Sequence, residues 1–224
     1  MFSLPVHHVA FLSPGIFEIA LERCGYVFTP GECAVLFSDS DSRPYSLSSA
    51  PHEDVLRFLI RRIDGGVVSP WLAARRRGDE VGISTPFGHF RPGQCGPAEV
   101  PAVFAATGVG IAPFLSFLRS RPTAGAARKP VAFYGVRTLS DAVELDFLRG
   151  ATDLRLAVSR ETVPGCHHGH VTELMATVPH DARTHFFLCG IDGMVDDAAR
   201  LLDAQGVGPE RVHTEVFFSS SASR

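Results

Sequence analysis

Residues 103–118 read Val103-Phe104-Ala105-Ala106-Thr107-Gly108-Val109-Gly110-Ile111-Ala112-Pro113-Phe114-Leu115-Ser116-Phe117-Leu118. An apolar run, a glycine turn and a second apolar stretch predict strand, turn and helix in immediate succession. Glycines let a backbone approach a pyrophosphate closely, and a helix start offers it unpaired N–H groups and a partial positive charge. As a G-x-G-x-x-G string the segment fails, because Pro113 stands where the third glycine belongs. On spacing alone, a nucleotide site and a plain tight turn are both open readings. A ligand held there would sit at the carboxyl ends of the strands.

Downstream, apolar runs at 102–106, 131–135, 154–158, 185–189 and 212–217 alternate with helix-like segments at 113–119, 141–148, 171–176 and 193–204. Continuous apolar strands alternating with helices predict a doubly wound α/β parallel sheet. Upstream the rhythm differs. Strand-like runs at 6–13 and 16–22 flank Pro14-Gly15, a hairpin signal in which the glycine is expected to take a positive φ. Further short strands are expected at 33–38, 44–49, 55–63 and 80–84. Ser69-Pro70-Trp71-Leu72 reads as a helix start, with Ser69 as N-cap and Pro70 at the first helical position. Many short strands with one small helix predict an antiparallel β-barrel. Arg91-Pro92-Gly93-Gln94-Cys95-Gly96-Pro97 reads as a linker. The expected organisation is two-domain: a barrel over 1–96 and a parallel α/β sheet over 97–224.

Composition narrows the function. With 224 residues, 45% apolar and 20% charged, the chain has the makeup of a folded globular protein rather than a disordered one. A net charge of −3 lacks the basic excess of a generic nucleic-acid binder. The longest weakly polar run, 100–115, is broken by Thr107, Gly108, Gly110 and Pro113, so no membrane span is expected. No signal peptide is visible at the start. Five cysteines without C-x-x-C spacing argue against a disulfide framework or a zinc ribbon, and a reduced, cytoplasmic protein is expected.

Two signals in one chain then combine. Arg43-Pro44-Tyr45-Ser46 ends a barrel-like strand, and Thr107-Gly108-Val109-Gly110-Ile111-Ala112-Pro113 opens the α/β half. The pair resembles the ferredoxin–NADP(H) reductase family, in which an R-x-Y-S flavin motif precedes T-G-x-G-x-x-P. Gly66-Val67-Val68-Ser69 resembles the family's second flavin phosphate turn. Pro86-Phe87-Gly88 resembles its G-P-F-G barrel end, with Thr85 in place of the first glycine. Tyr134-Gly135-Val136-Arg137, Ser159-Arg160-Glu161 and Cys189-Gly190 followed by Met194 fall at its nicotinamide-nucleotide positions, and Glu215-Val216-Phe217 resembles its C-terminal ending. Each motif alone is weak, but their order along nearly the whole chain is specific.

The resemblance implies FAD in the barrel, and NADPH (or NADH) as co-substrate of the α/β half. On the flavin side it implies Arg43 on the pyrophosphate, Pro44 in the same motif, Tyr45 against the flavin, and Ser46 near flavin N5. Ile60, Arg61 and Arg62 would contact the diphosphate and adenosine, and Val67, Val68 and Ser69 would offer N–H groups to the second phosphate. On the nucleotide side it implies Thr107, Gly108, Val109, Gly110 and Pro113 in the pyrophosphate turn. Arg137, Ser159 and Arg160 would surround the adenosine ribose, with the charge and hydroxyl of the Ser159-Arg160 pair favouring NADPH. Some relatives place an arginine where this chain has His170. Cys189, Gly190 and Met194 would lie at the nicotinamide, with Cys189 a positioning group. Glu215 would handle a proton or steady charge there, and Phe217 would cover the flavin face.

The implied reaction is hydride transfer from NADPH to FAD, followed by release of single electrons to an external carrier of the ferredoxin or flavodoxin type. The alternatives are an NAD(P)H:flavin reductase, the reductase component of an oxygenase system, and a flavin- or nucleotide-binding regulatory subunit. No iron–sulfur ligand spacing is present. Cys166-His167-His168-Gly169-His170 invites a metal reading, but consecutive loop side chains seldom converge tetrahedrally, and no metal site is expected. His7 and His8 are expected on opposite faces of a strand. Arg75-Arg76-Arg77 reads first as a basic helix end, with docking of an acidic carrier as the alternative.

Overall fold

A computed structural model describes residues 2–91, 101–121 and 129–216. The chain divides into two compact units, residues 1–93 with 112–122, and residues 94–111 with 123–224. The expected boundary at 96/97 lies outside the described residues.

The first unit holds β1 (Phe2–Ser13), β2 (Ile16–Glu22), β3 (Cys33–Phe37), β4 (Ser42–Ser46), β5 (Val55–Arg61), the short helix α1 (Val68–Ala73) and β6 (Glu80–Ile83). Its strands form one antiparallel sheet in the order β4-β3-β6-β1-β2-β5. An isolated antiparallel bridge between Leu47 and Phe58 joins the β4 edge to the β5 edge, so the sheet curls into a barrel. The core follows from alternation: Phe17, Ile19 and Leu21 of β2 and Leu56, Phe58 and Ile60 of β5 are all buried in one cluster.

The second unit holds β7 (Ala102–Thr107), β8 (Val131–Val136), α3 (Leu145–Ala151), β9 (Asp153–Val158), β10 (His167–His168), α4 (Val171–Met175), β11 (His185–Gly190), α5 (Asp192–Ala204) and β12 (Val212–Val216). All strands run parallel, in the order β10-β9-β8-β7-β11-β12. The doubly wound expectation holds. Phe104, Phe133, Phe186 and Phe187 are fully buried, and each contributes roughly 1.5–3 kcal/mol relative to an exposed ring.

Helix α2 (Ala112–Ser120) continues from a 3-10 turn at Gly108–Ile111. Pro113 sits in its first turn, where a missing N–H costs nothing. By its contacts α2 groups with the first unit. The Ser116 hydroxyl donates to the Ser49 carbonyl at 2.7 Å, the Arg119 guanidinium donates to the Ser48 carbonyl at 2.8 Å, and the Phe114 ring packs edge-on against Phe90.

Several local expectations are corrected. Ser69 is not an N-cap: α1 starts at Val68 with Val67 in the cap position, and Pro70 is the third helical residue rather than the first. The Ser69 hydroxyl instead accepts the Ile63 N–H at 3.0 Å, which closes the loop ahead of the helix. The hairpin at Pro14-Gly15 forms with Gly15 outside the positive-φ region. The helix expected over 141–148 is split into a 3-10 turn at Leu139–Asp141 and α3, because Glu144 adopts a left-handed φ of 57°. His7 and His8 do not point apart: a register shift between Val6 and His8 brings their rings to 5.3 Å, His7 pairing with Glu22 at 2.8 Å and His8 with Glu18 at 3.0 Å.

Candidate functional site

Within the second unit the site begins with strand order. From β7 the chain winds outward to β8 and β9, then returns to place β11 on the other side of β7. The crevice opened by that reversal lies at the carboxyl ends of β7 and β11. Register places Ala106 beside Cys189, Thr107 beside Gly135, and Cys189 beside Glu215. The expected residues Thr107, Cys189, Gly190 and Glu215 therefore share one edge of the sheet.

The backbone of that edge is tightly packed. A Cβ on Gly110 would lie 2.4 Å from the Cys189 carbonyl oxygen, and one on Gly190 would lie 2.1 Å from the Thr107 hydroxyl. Gly190 also has a φ of 154° and Gly108 a φ of 54°, conformations that side chains oppose. The Thr107 hydroxyl accepts the Ile191 N–H at 3.2 Å, tying the β7 turn to the start of α5. Met194, in the first turns of α5, is buried; Val109 is partly exposed at the turn and Pro113 is buried behind it. Cys189 is fully buried.

Further along the same edge, the Ser159 N–H donates to the Val136 carbonyl at 3.0 Å and the Arg160 N–H to the Arg137 carbonyl at 2.9 Å. Arg137 and Arg160 are exposed, and neither guanidinium makes an ion pair among the described residues. Nearby carboxylates are turned away. Glu161 accepts the Leu139 N–H at 2.6 Å and Asp141 the Thr138 hydroxyl at 3.2 Å. Glu173 is held below the usual carboxylate range by the His167 ring and then by the His170 N–H.

In the first unit, the motif strand β4 carries Arg43 exposed, Pro44 and Tyr45 half-buried and Ser46 buried. Arg43 pairs with Asp41 at 2.7 Å; the Ser42 N–H, then Arg43, keep that carboxyl below its usual range. Burial pushes the Tyr45 phenol up to about 12 against the opposing pull of Arg43, and Asp41 adds a smaller push upward. The Ser46 hydroxyl lies 3.5 Å from the Cys33 thiol. Just beyond, the Ser48 hydroxyl is buried with no hydrogen-bond partner among the described residues, a residue that the motifs do not include. Its only signal in the chain is the serine run Ser46-Leu47-Ser48-Ser49. Ile60 is buried at the end of β5, Arg61 is partly exposed, and exposed Arg62 lies 3.9 Å from Asp64. Val67 is exposed while Val68 and Ser69 are buried, and α1 begins with neither a side-chain cap nor an acidic residue in its first turn. Phe217 lies outside the described residues. Two cavities of about 290 and 320 Å³ in this unit contain none of the expected site residues.

Known proteins share this construction. Residues 104–200 match the family described as Oxidoreductase NAD-binding domain. Ferredoxin–NADP reductase B of Sorangium cellulosum is 31% identical over 91% of this chain and 92% of its own. The reductase component of propane 2-monooxygenase from Mycolicibacterium goodii is 33% identical over 86% of this chain. The chain spans about three fifths of the length of that protein and of the other oxygenase reductase components it matches. A crystal structure of a ferredoxin NADP+ reductase from Neisseria gonorrhoeae, with bound FAD and NADP, superposes with a TM-score of 0.87 at 23% identity, covering 97% of this chain and 98% of that one. The fold is thus that of a flavin- and nicotinamide-type reductase, an antiparallel barrel and a parallel nucleotide-type sheet. The chain belongs to the ferredoxin–NADP(H) reductase family.

Among the described residues, no helix is long and apolar enough to cross a membrane, and no group of three or more metal-ligating side chains is assembled.

Proposed function

We propose that the chain is an FAD-dependent NAD(P)H reductase that passes electrons to an external carrier of the ferredoxin or flavodoxin type, or to the oxygenase component of a multi-protein system. The observation that carries this reading is the shared carboxyl edge of β7, β11 and β12, where the Gly108–Gly110 turn, Cys189-Gly190 and Glu215 meet. The residues fit both groups. For the flavin, the buried unpartnered Ser48 hydroxyl, the half-buried Tyr45 ring and the uncapped start of α1 supply a polar atom, an apolar face and backbone donors. For the dinucleotide, two exposed guanidiniums beside Ser159 suit a phosphate.

In this reading Arg43, Ile60, Arg61, Arg62, Val67, Val68 and Ser69 hold the flavin nucleotide, with Pro44 and Tyr45 shaping the ring's seat. Ser46 donates from its hydroxyl near the position that accepts hydride. Thr107, Gly108, Val109 and Gly110 seat the coenzyme pyrophosphate, and Pro113 fixes the helix start behind them. Arg137, Ser159 and Arg160 take the adenosine, with preference for its phosphorylated form. Cys189, Gly190 and Met194 orient the nicotinamide, and Glu215 holds a proton or steadies charge beside it. Bound FAD supplies a two-electron acceptor that can release electrons one at a time. The protein works in the cytoplasm, where its cysteines stay reduced.

The test is an anaerobic titration of the purified protein with NADPH and NADH. Bleaching of a flavin absorbance that survives gel filtration is the expected result. A retained flavin that does not bleach sinks the hydride-transfer reading, and flavin lost on the column favours a reductase that uses flavin as substrate.

A further inference from the structure

The chain leaves its pairing with β3 at Ser46 and continues through Leu47, Ser48 and Ser49. The barrel takes up part of this segment. The Leu47 N–H donates to the Glu32 carbonyl at 3.0 Å and the Ser48 N–H to the Arg57 carbonyl at 2.8 Å, while the Ser49 hydroxyl accepts the Arg57 N–H at 3.1 Å. The carbonyls of Ser48 and Ser49 go instead to α2, through the Arg119 guanidinium and the Ser116 hydroxyl described above. Ser46, Ser48, Ser49 and Ser116 are all buried, where a carbonyl without a donor is rare.

Ser116 is the informative member. A serine inside a helix commonly returns its hydroxyl to the carbonyl four residues back. Ser120, one turn further on, does so, donating to the Ser116 carbonyl at 2.6 Å. Ser116 gives its hydroxyl to Ser49, and it is the one polar side chain among the buried residues of α2. Arg119 stands three positions on, so the two donors share a face of the helix. An apolar face packs without donors, but a hydroxyl and a guanidinium on two consecutive carbonyls fix where the main chain runs. The segment so fixed follows directly on Tyr45 and Ser46 and carries the buried Ser48 hydroxyl, which has no partner among the described residues.

We propose that Ser116 and Arg119 are positioning residues for the flavin: from α2 they hold the Ser48-Ser49 main chain, and through it they set the place of the Ser46 and Ser48 hydroxyls. The inference deepens the flavin reading above and rests on it. A group that must meet a ligand within about 0.5 Å needs its own backbone and rotamer locked by neighbours. Here the lock comes from side chains 67 and 71 positions away from the carbonyls they hold. Neither residue belongs to the motifs that mark the flavin or the coenzyme, and neither touches the flavin in this assignment.

The test compares the flavin-loaded full chain with S116A, R119M and R119K. Three quantities are read: the melting temperature, the release of FAD on dilution followed by recovery of its fluorescence, and the visible flavin band. The expected result is that S116A and R119M release FAD about threefold to tenfold more readily, the worth of one hydrogen bond, with a displaced flavin band. R119K keeps a donor for the Ser48 carbonyl and restores both readings. The KM for NADPH stays unchanged while the rate of flavin bleaching at saturating NADPH falls. Variants that melt earlier but hold FAD like the wild type, with the same band, overturn the inference and leave the two residues a structural role. A raised KM for NADPH with an unaltered flavin overturns it as well. Should S116A fail to fold, R119M and R119K decide the question alone. Wild-type protein that holds no flavin removes the flavin reading together with this inference, whereas a flavin held alike by all four proteins removes this inference only.

Discussion

The loop ahead of α1 and the turn after β7 both set glycines beside a helix, and both use a hydroxyl to accept a backbone N–H. In the first, Ser69 takes the N–H of Ile63, six residues away, and the loop is secured only against itself. In the second, Thr107 takes the N–H of Ile191, 84 residues away, and the turn is secured to the start of α5. Their glycines differ in the same sense. Gly65 has a φ of 78° and open space around it, so it serves backbone conformation. Gly110 has no room for even one carbon beside the Cys189 carbonyl, so it serves packing. A glycine before a helix therefore carries two distinct physical jobs, and only the second binds distant parts of a sheet into one rigid edge.

Substitutions separate these jobs. Gly190→Ala combines an unfavourable φ with a clash against Thr107 and is expected to cost about 3 kcal/mol or more, read as a large fall in the denaturant midpoint. Gly110→Ala should come close behind, and a midpoint unchanged by either variant would show that the edge yields. Gly65→Ala meets no atom and should cost only about 1–2 kcal/mol, the penalty of a left-handed residue. A loss at Gly65 as large as that at Gly190 would erase the distinction. In the proposed coenzyme site, Arg160→Ala is expected to raise the NADPH KM about tenfold with little change for NADH, the loss of one charged contact. Equal effects on both would remove Arg160 from phosphate recognition. Ser69→Ala should lower stability by about 1 kcal/mol through the Ile63 bond, leaving the helical circular dichroism of α1 nearly unaltered because the hydroxyl does not cap it.

The smallest effect is one of pH. The folded Tyr45 phenol titrates at about 12, above its usual 10.0. The folded state keeps that proton where the unfolded chain has already released it. The associated stability is present below pH 10 and drains away as pH rises toward 12. Tyr45→Phe should flatten that alkaline decline in a series of melts, and an equal slope in both proteins would contradict it.

Much of this was legible in residue order. Val103-Phe104-Ala105-Ala106 and Phe186-Phe187-Leu188-Cys189 read as buried parallel strands because no polar residue interrupts them. The motif order placed Thr107, Cys189 and Glu215 in one half, and the sheet brings them to one edge. What escaped depends on long-range geometry. Ser-Pro-Trp looks like a capped helix start, yet the hydroxyl is drawn back to Ile63 because the loop folds onto itself. Glu144 breaks a helical pattern by a left-handed turn that no glycine announces. The bulge at His7 turns two neighbours to one side where alternation separates them. The bonds of Ser116 and Arg119 in α2 to the carbonyls of Ser49 and Ser48, about seventy positions earlier in the chain, have no signal in local sequence.

The two-residue strand β10 has an effect of its own. It covers the outer margin of β9 for just His167 and His168 and then turns away at Gly169. A long bare margin would offer a row of unclaimed amides to any extended segment of another molecule. Here β10 closes the margin at Ala157 and Val158, so only residues 153–156 of β9 stay open, a stretch too short to template a long added strand.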